Sequence, residues 1–340
     1  MNDKSPLFRL ITYQQRKDVT EPIRAGLAIG EKIVALDALA GYQPLARDLA
    51  NAATASVFAP GVQGLLTNWE KNFEALCEVA AFVDREGLEN GPWIREVTSP
   101  EAVHVLAPVP RPSKMLYEGA NYERHVQEAE NWKESGLKDF KVIDKSVARP
   151  YAFVKLPSCI IGPYDPVVYP RAYQKLDWEV ELGLVIGKRG KYISVEHAMD
   201  HVAGFLTVND MSLRDLNMRP DWPYLVSDWL AGKNFDTSAP LGPYLVPRQF
   251  VPEYKNLRLM LKVNGEMKQD FSTQHMVFKP DEIIAFLSTF ITLEPGDVIA
   301  TGTTPGTGFA TGRYLNVGDV VEAEVEGLGR QRNVVIAEER

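Results

Sequence analysis

Lys175-Leu-Asp-Trp-Glu-Val-Glu-Leu-Gly-Leu-Val-Ile186 is the stretch on which the fold turns. Strand side chains alternate between two faces. Leu176, Trp178, Val180, Leu182, Leu184 and Ile186 therefore share one face, and Asp177, Glu179 and Glu181 share the other. Glu179 and Glu181 project side by side. Like charges that close repel unless water or a cation comes between them, and a hard divalent ion takes carboxylate oxygens. From this stretch alone two readings stand: a cation site, or the wet face of an edge strand.

Working outward, 340 residues are enough for a large core and roughly two domains. With 45% hydrophobic and 24% charged residues, the composition is that of an ordinary soluble globular protein. A net charge of −8 without a basic stripe argues against a nucleic-acid partner. No apolar run approaches the length of a membrane span, so no membrane partner is expected. Cys77 and Cys159 are too few for a disulfide framework and fit a reduced, cytoplasmic compartment. The opening Met1-Asn-Asp-Lys-Ser-Pro6 has no apolar signal core behind it. Neither a G-x-G-x-x-G after a strand nor a Walker A sequence is present.

Short strands are expected at 7–13, 25–30 and 32–36. Helical patterns follow around Leu45–Ala53 and from Gln63 to Arg85. The stiff run Ala107-Pro-Val-Pro-Arg-Pro112 marks a boundary between a small N-terminal α+β domain, 1–110, and a larger domain, 111–340. Beyond it strands dominate: 151–155, 167–169, 179–186, 202–209, 257–263, 298–301 and 320–325, with helices at about 194–200 and 281–289. So few helices between strands exclude a doubly wound sheet. The fold class is α+β, mostly β, with peripheral helices.

Chemistry-bearing residues gather in that larger part. Asp210 ends a strand and would join Glu179 and Glu181 as a three-carboxylate set suited to Mg²⁺, Mn²⁺ or Ca²⁺. The other reading makes it the cap of the helix that follows. His125 and Glu128 stand three apart in a helical pattern, an arrangement that can orient a general base or simply lie on a solvated face. His197 and His201 are four apart but lack a third ligand, and read as structural. Lys233, in a Gly/Pro-framed loop, can meet a carboxylate or an oxyanion, or can be one more surface lysine. The loop Thr301-Gly-Thr-Thr-Pro-Gly-Thr-Gly308 can offer N–H groups and hydroxyls to an anion, or can be a plain turn.

As a set, these residues resemble the fumarylacetoacetate hydrolase superfamily. The motifs run in order: Asn121-Tyr-x-x-His125-x-x-Glu128, Glu179-x-Glu181 with Gly183, Asn209-Asp210 with Arg214-Asp215, Gly232-Lys233, Pro240-Leu-Gly-Pro243, Val263-Asn-Gly-Glu266 with Gln269, and Leu293-x-Pro-Gly-Asp297 leading to Thr301-Gly-Thr303. They cover the chain from about Met115 to its end. The resemblance implies a mixed β-sandwich roll, a homodimer, and Mg²⁺ or Mn²⁺ on Glu179, Glu181 and Asp210, with Glu118 a candidate fourth ligand. It implies His125 as base with Glu128 as its acid partner, catalytic Lys233 and Arg214, and substrate contacts from Tyr122, Asn217 and Thr303. Asn217 stands where fumarylacetoacetate-cleaving members carry a glutamine, which points to a different substrate. The implied activity is metal-dependent hydrolysis of a carbon–carbon bond in a small β-diketo acid of the acylpyruvate, fumarylpyruvate or fumarylacetoacetate type, as in aromatic catabolism. The alternative is a decarboxylase, isomerase, hydratase or lyase on a related 2-oxo acid. The long polar stretch Ala129–Arg149 reads as a closing lid or a fixed insertion.

Overall fold

A computed structural model describes residues 7–17, 20–40, 59–130, 142–217, 219, 221 and 227–339. The chain is mostly sheet with few helices. The expected helix at 45–53 and much of the stretch 129–149 lie outside the described residues.

The decisive strand, Val180–Ile186, is central. It sits in a six-stranded sheet whose order is Val246–Pro247, Val202–Asn209, Val180–Ile186, Val298–Ala300, Met115–Gly119, Tyr151–Lys155. Its neighbours are antiparallel on both sides, with Val180 opposite Asn209 and Gly183 opposite Ala300. Val298–Ala300 and Met115–Gly119 run parallel. Every residue of Val180–Ile186 is buried, so the edge-strand reading does not hold.

The two faces are covered differently. Val180, Leu182, Leu184 and Ile186 join a core with Leu259, Leu261, Val321 and Ala323 of a second, five-stranded sheet. The opposite face, beyond Glu181, is covered from the N-terminal part of the chain. Val185, Ala203 and Leu206 pack in one cluster with Phe8, Leu10, Trp69 and Phe73. The side chain of Trp69 comes so close to Gly187 that a Cβ there would lie 2.9 Å from its Cδ1. That tryptophan opens the helix Trp69–Glu86. The helix expected over 63–85 is broken at its start, with a short helix at Gly61–Leu65 and a 3₁₀ turn at Leu66–Asn68. The N-terminal part has its own five-stranded sheet, in the order Val97–Thr98, Lys32–Ala35, Arg24–Ile29, Arg9–Gln14, His104–Leu106. It is tied to the rest by the Leu10–Leu245 bridge and by an edge-on Phe8–Phe250 pair with ring centroids 5.1 Å apart. Among the described residues, no helix is long and apolar enough to cross a membrane.

Candidate active site

The site forms where Val180–Ile186 begins and Val202–Asn209 ends, at one rim of the six-stranded sheet. Antiparallel pairing puts Glu179 beside Asp210: the Asp210 N–H donates to the Glu179 carbonyl at 2.8 Å. The Glu179 N–H donates to the Asn209 side chain at 3.0 Å. Ligand atoms of Glu179, Glu181 and Asp210 lie within 4.8 Å of one another, and all of these residues are buried. Asp210 accepts from side chains at this rim and is not a helix cap.

Buried cations face the carboxylates. Lys233 Nζ bridges Glu179 Oε2 at 2.7 Å and Asp210 Oδ2 at 2.6 Å. Arg214 donates to Asp177 Oδ2 at 2.8 Å and also to Glu179 Oε1. Lys155 Nζ donates to Asp210 Oδ1 at 2.6 Å and to the carbonyls of Met211 at 3.0 Å and Ser238 at 2.8 Å. A buried charge is tolerated only when paired and hydrogen-bonded, and each of these is. Burial would raise Glu179, but Lys233 and Arg214 hold it well below the usual carboxylate range. Glu181 is pushed the other way, by burial and by the neighbouring Asp210 and Glu179 charges. Its Oε2 accepts the Gly302 N–H at 2.7 Å. Gly302 has φ of +89°, and a Cβ there would meet Asn121 Cβ at 2.8 Å, so the turn that delivers this N–H requires glycine. A crowded set of buried oxygen donors fits a hard divalent cation in ligand type.

The other expected residues fall around this centre. His125, half-buried on the helix Glu123–Glu130, has a buried Nδ1 without a partner. Burial lowers it to about 4, against the pull of the Glu179 charge and with the push of Arg214 and Lys233, so the ring is neutral at pH 7. Glu128 does not bond His125. It accepts the Gly306 N–H at 2.7 Å. Glu118 is buried but lies outside the carboxylate group. Its Oε1 has no partner, and burial alone raises it to about 8. Tyr122 is fully buried with an unpartnered hydroxyl. Asn217 is half-buried with its Oδ1 unpartnered, close against Gly232. The Thr303 hydroxyl donates to the Val180 carbonyl at 3.0 Å and accepts from Gln269 at 2.9 Å, so it braces the strand.

Two residues at the centre escape a reading from sequence. Lys155 ends the strand Tyr151–Lys155 and looks there like a surface lysine. Asp177 looks like one more acid on the polar face. No signal in the chain marks either as buried.

The sequence model of the fumarylacetoacetate (FAA) hydrolase C-terminal family matches residues 114–336. A Bos taurus protein named oxaloacetate tautomerase FAHD2B, mitochondrial, is 44% identical over 236 residues, which cover 69% of this chain and 70% of that protein. The Homo sapiens protein of the same name is 41% identical over 283 residues, 83% of this chain and 82% of that one. Among solved structures, maleylpyruvate hydrolase from Sphingobium sp. SYK-6, in complex with manganese(II) and pyruvate, is 25% identical with a TM-score of 0.68. The match covers 97% of this chain and all of that one.

Proposed function

Because the chain belongs to the fumarylacetoacetate hydrolase superfamily, we propose that it is a divalent-metal enzyme that interconverts the keto and enol forms of oxaloacetate or a closely related 2-oxo acid. The observation that carries this reading is the buried group Glu179, Glu181 and Asp210 together with a neutral imidazole, His125, that feels the Glu179 charge and whose Nδ1 is unclaimed. A bound Mg²⁺ or Mn²⁺, or Ca²⁺ as a third hard ion, would be held by those carboxylates and would supply Lewis-acid polarisation of the 2-oxo group. Glu118 remains a candidate further ligand.

The chain's own residues do the rest. His125, unprotonated at neutral pH, takes the proton from C3 and gives it back at the other end of the enol system. Lys233 and Arg214 place positive charge beside the oxygen that gains negative charge and beside the substrate carboxylates. Tyr122 and Asn217 complete the substrate surroundings, and Thr303, whose hydroxyl is taken up by Val180 and Gln269, holds the strand beside them. Glu128, bonded to Gly306, holds the helix that carries His125 in place.

A tautomerisation requires one proton shuttle. Carbon–carbon hydrolysis also requires an activated water, and in this structure His125 and Glu128 are not paired for that. The curated relatives named as oxaloacetate tautomerases support the same choice. Hydrolysis of an acylpyruvate-type diketo acid is the second reading, favoured by the likeness to a maleylpyruvate hydrolase. The accompanying reading of the architecture is a mixed β-sandwich roll in 111–340 with a small N-terminal domain in 1–110. A homodimer in the cytoplasm belongs to the same reading, and the unpaired thiols of Cys77 and Cys159 are compatible with a reducing compartment. The test is a panel assay with Mg²⁺ or Mn²⁺. Loss of oxaloacetate enol absorbance without pyruvate release supports tautomerisation. Stoichiometric pyruvate from an acylpyruvate supports hydrolysis, and inactivity on both overturns the proposal.

A further inference from the structure

Asp177 lies outside the carboxylate group that suits a metal, yet it is fully buried and fully hydrogen-bonded. Its Oδ1 accepts the N–H groups of Trp178 at 2.8 Å and Gly308 at 2.6 Å. Its Oδ2 accepts the N–H of Phe309 at 2.9 Å and Nε of Arg214 at 2.8 Å. A carboxylate offers about four lone-pair sites, so this one is saturated. Burial pushes its pKa up, and the salt bridge and N–H donors keep the anion bound in place.

The surroundings make this a fixed joint. Asp177 pairs with Ser212 in the short antiparallel ladder Leu176–Asp177 with Ser212–Leu213. The Arg214 N–H bonds the Lys175 carbonyl at 2.9 Å, and the Leu315 N–H bonds the Leu176 carbonyl at 2.9 Å. The Phe309 ring lies 5.0 Å from the Arg214 guanidinium carbon. Gly308 has no room for a side chain, since a Cβ would stand 2.7 Å from Asp177 Oδ1 and 2.4 Å from the Arg313 carbonyl. Trp178 reaches the same turn, donating from Nε1 to the Gly306 carbonyl at 3.2 Å. Arg214 is thus held at Nε by Asp177, on its face by Phe309 and at Nη2 by Glu179, while no described residue accepts from Nη1.

We propose that Asp177 is a positioning residue: it locks Arg214 so that the free end of the guanidinium receives an anionic ligand, and it couples that setting to the start of the short helix Gly308–Thr311. Arginine suits the task because its planar fork keeps its direction once one N–H is fixed. The proposal rests on the reading of the site as one for a 2-oxo acid.

The experiment is calorimetric titration of oxalate, a planar mimic of a 2-oxo acid enolate, into the Mg²⁺-loaded full chain. It is run for the wild type, Asp177→Asn, Arg214→Lys and the double variant, with the melting temperature of each. Asp177→Asn is expected to weaken oxalate roughly 10–100-fold, as loss of an outer-shell partner does. In the Arg214→Lys background the same change is expected to add less than about threefold, because the residue it sets is gone. A purely structural carboxylate would lower the melting temperature and leave the two effects multiplicative, which overturns the proposal. So does a folded Asp177→Asn that binds oxalate as the wild type does. Should Asp177→Asn not fold, Phe309→Leu keeps the N–H and removes the ring over the guanidinium. A several-fold loss of oxalate affinity in that variant supports the joint, and none overturns it. If the wild type itself binds no oxalate with Mg²⁺ present, the functional reading falls and takes this inference with it. Equal binding by the wild type and its variants defeats the inference alone.

Discussion

Glu181 and Val185 project from the same face of one strand, and both are buried, yet opposite means keep water out. Around Glu181 lie Glu179, Asp210 and the ammonium of Lys233, a polar cluster in which nearly every oxygen has a donor. Around Val185 lie Ala203, Leu206, Trp69 and Phe73, a dry contact between sheet and helix. Burial at the second end is driven by apolar area and is stable by itself. At the first end it costs desolvation that only paired charge offsets, and a crowd of carboxylates remains poised to accept a cation. One strand carries a scaffold at one end and chemistry at the other, and the scaffold fixes the geometry of the chemistry.

Removing the ion should separate the two ends most completely. Chelation is expected to abolish turnover of oxaloacetate, restored by Mg²⁺ or Mn²⁺, while the melting of the Trp69 end moves little. Full turnover in the chelated protein would refute a metal role. Next in size is His125→Ala, expected to lower kcat by about 10²–10⁴-fold with little change in metal affinity. Loss of metal with unchanged turnover per bound ion would show that His125 is a ligand and not a base. On the apolar side, Trp69→Ala is expected to cost about 3–5 kcal/mol by urea denaturation and to leave kcat per folded molecule unchanged. A fall in kcat without a fall in stability would mean that the helix reaches the chemistry directly.

The smallest effect concerns the seam between the N-terminal part and the rest. Burial would raise Asp165, but Lys17 at 2.9 Å, His104 at 3.0 Å and the Gly162 N–H at 2.9 Å hold it below the usual range. A carboxyl lowered on folding binds fewer protons folded than unfolded. Its contribution is therefore complete above the ordinary value of about 4 and is lost as pH falls through the lowered one. Asp165→Asn should cost on the order of 1 kcal/mol at pH 7 and progressively less in acid, read from urea midpoints across a pH series. A cost that grows toward acid would reverse the assignment.

Much of this was legible in the chain. The strands at 151–155, 167–169, 202–209 and 320–325 fall where alternation and β-branched residues place them. Glu179, Glu181 and Asp210 come together as the two-residue period and the strand end require. What alternation cannot tell is whether a polar face is wet. Asp177, Glu179 and Glu181 look solvated because their cover is remote in sequence: Arg214, Lys233, and the turn at 302–309. Lys155 shows the same limit, since only the fold reveals that its partner is Asp210. The His125–Glu128 spacing predicts neighbours on a helix but not a hydrogen bond, and the Gly306 N–H competes successfully for the carboxylate. The preference for carbon–carbon hydrolysis rests on resemblance to a superfamily, and a shared fold does not name one reaction. The relatives that the chain matches over two thirds of its length are named oxaloacetate tautomerases, a distinction that no motif in this chain carries.

The central claim is that the polar end of this strand is a cation site. Direct manganese binding, followed by electron paramagnetic resonance of free Mn²⁺ during titration, tests it without reference to any substrate. The account predicts a single site per chain in the wild type and weakening by at least about 100-fold in Glu181→Gln, with Trp69→Ala binding as the wild type does. Equal Mn²⁺ binding by the wild type and Glu181→Gln would contradict it.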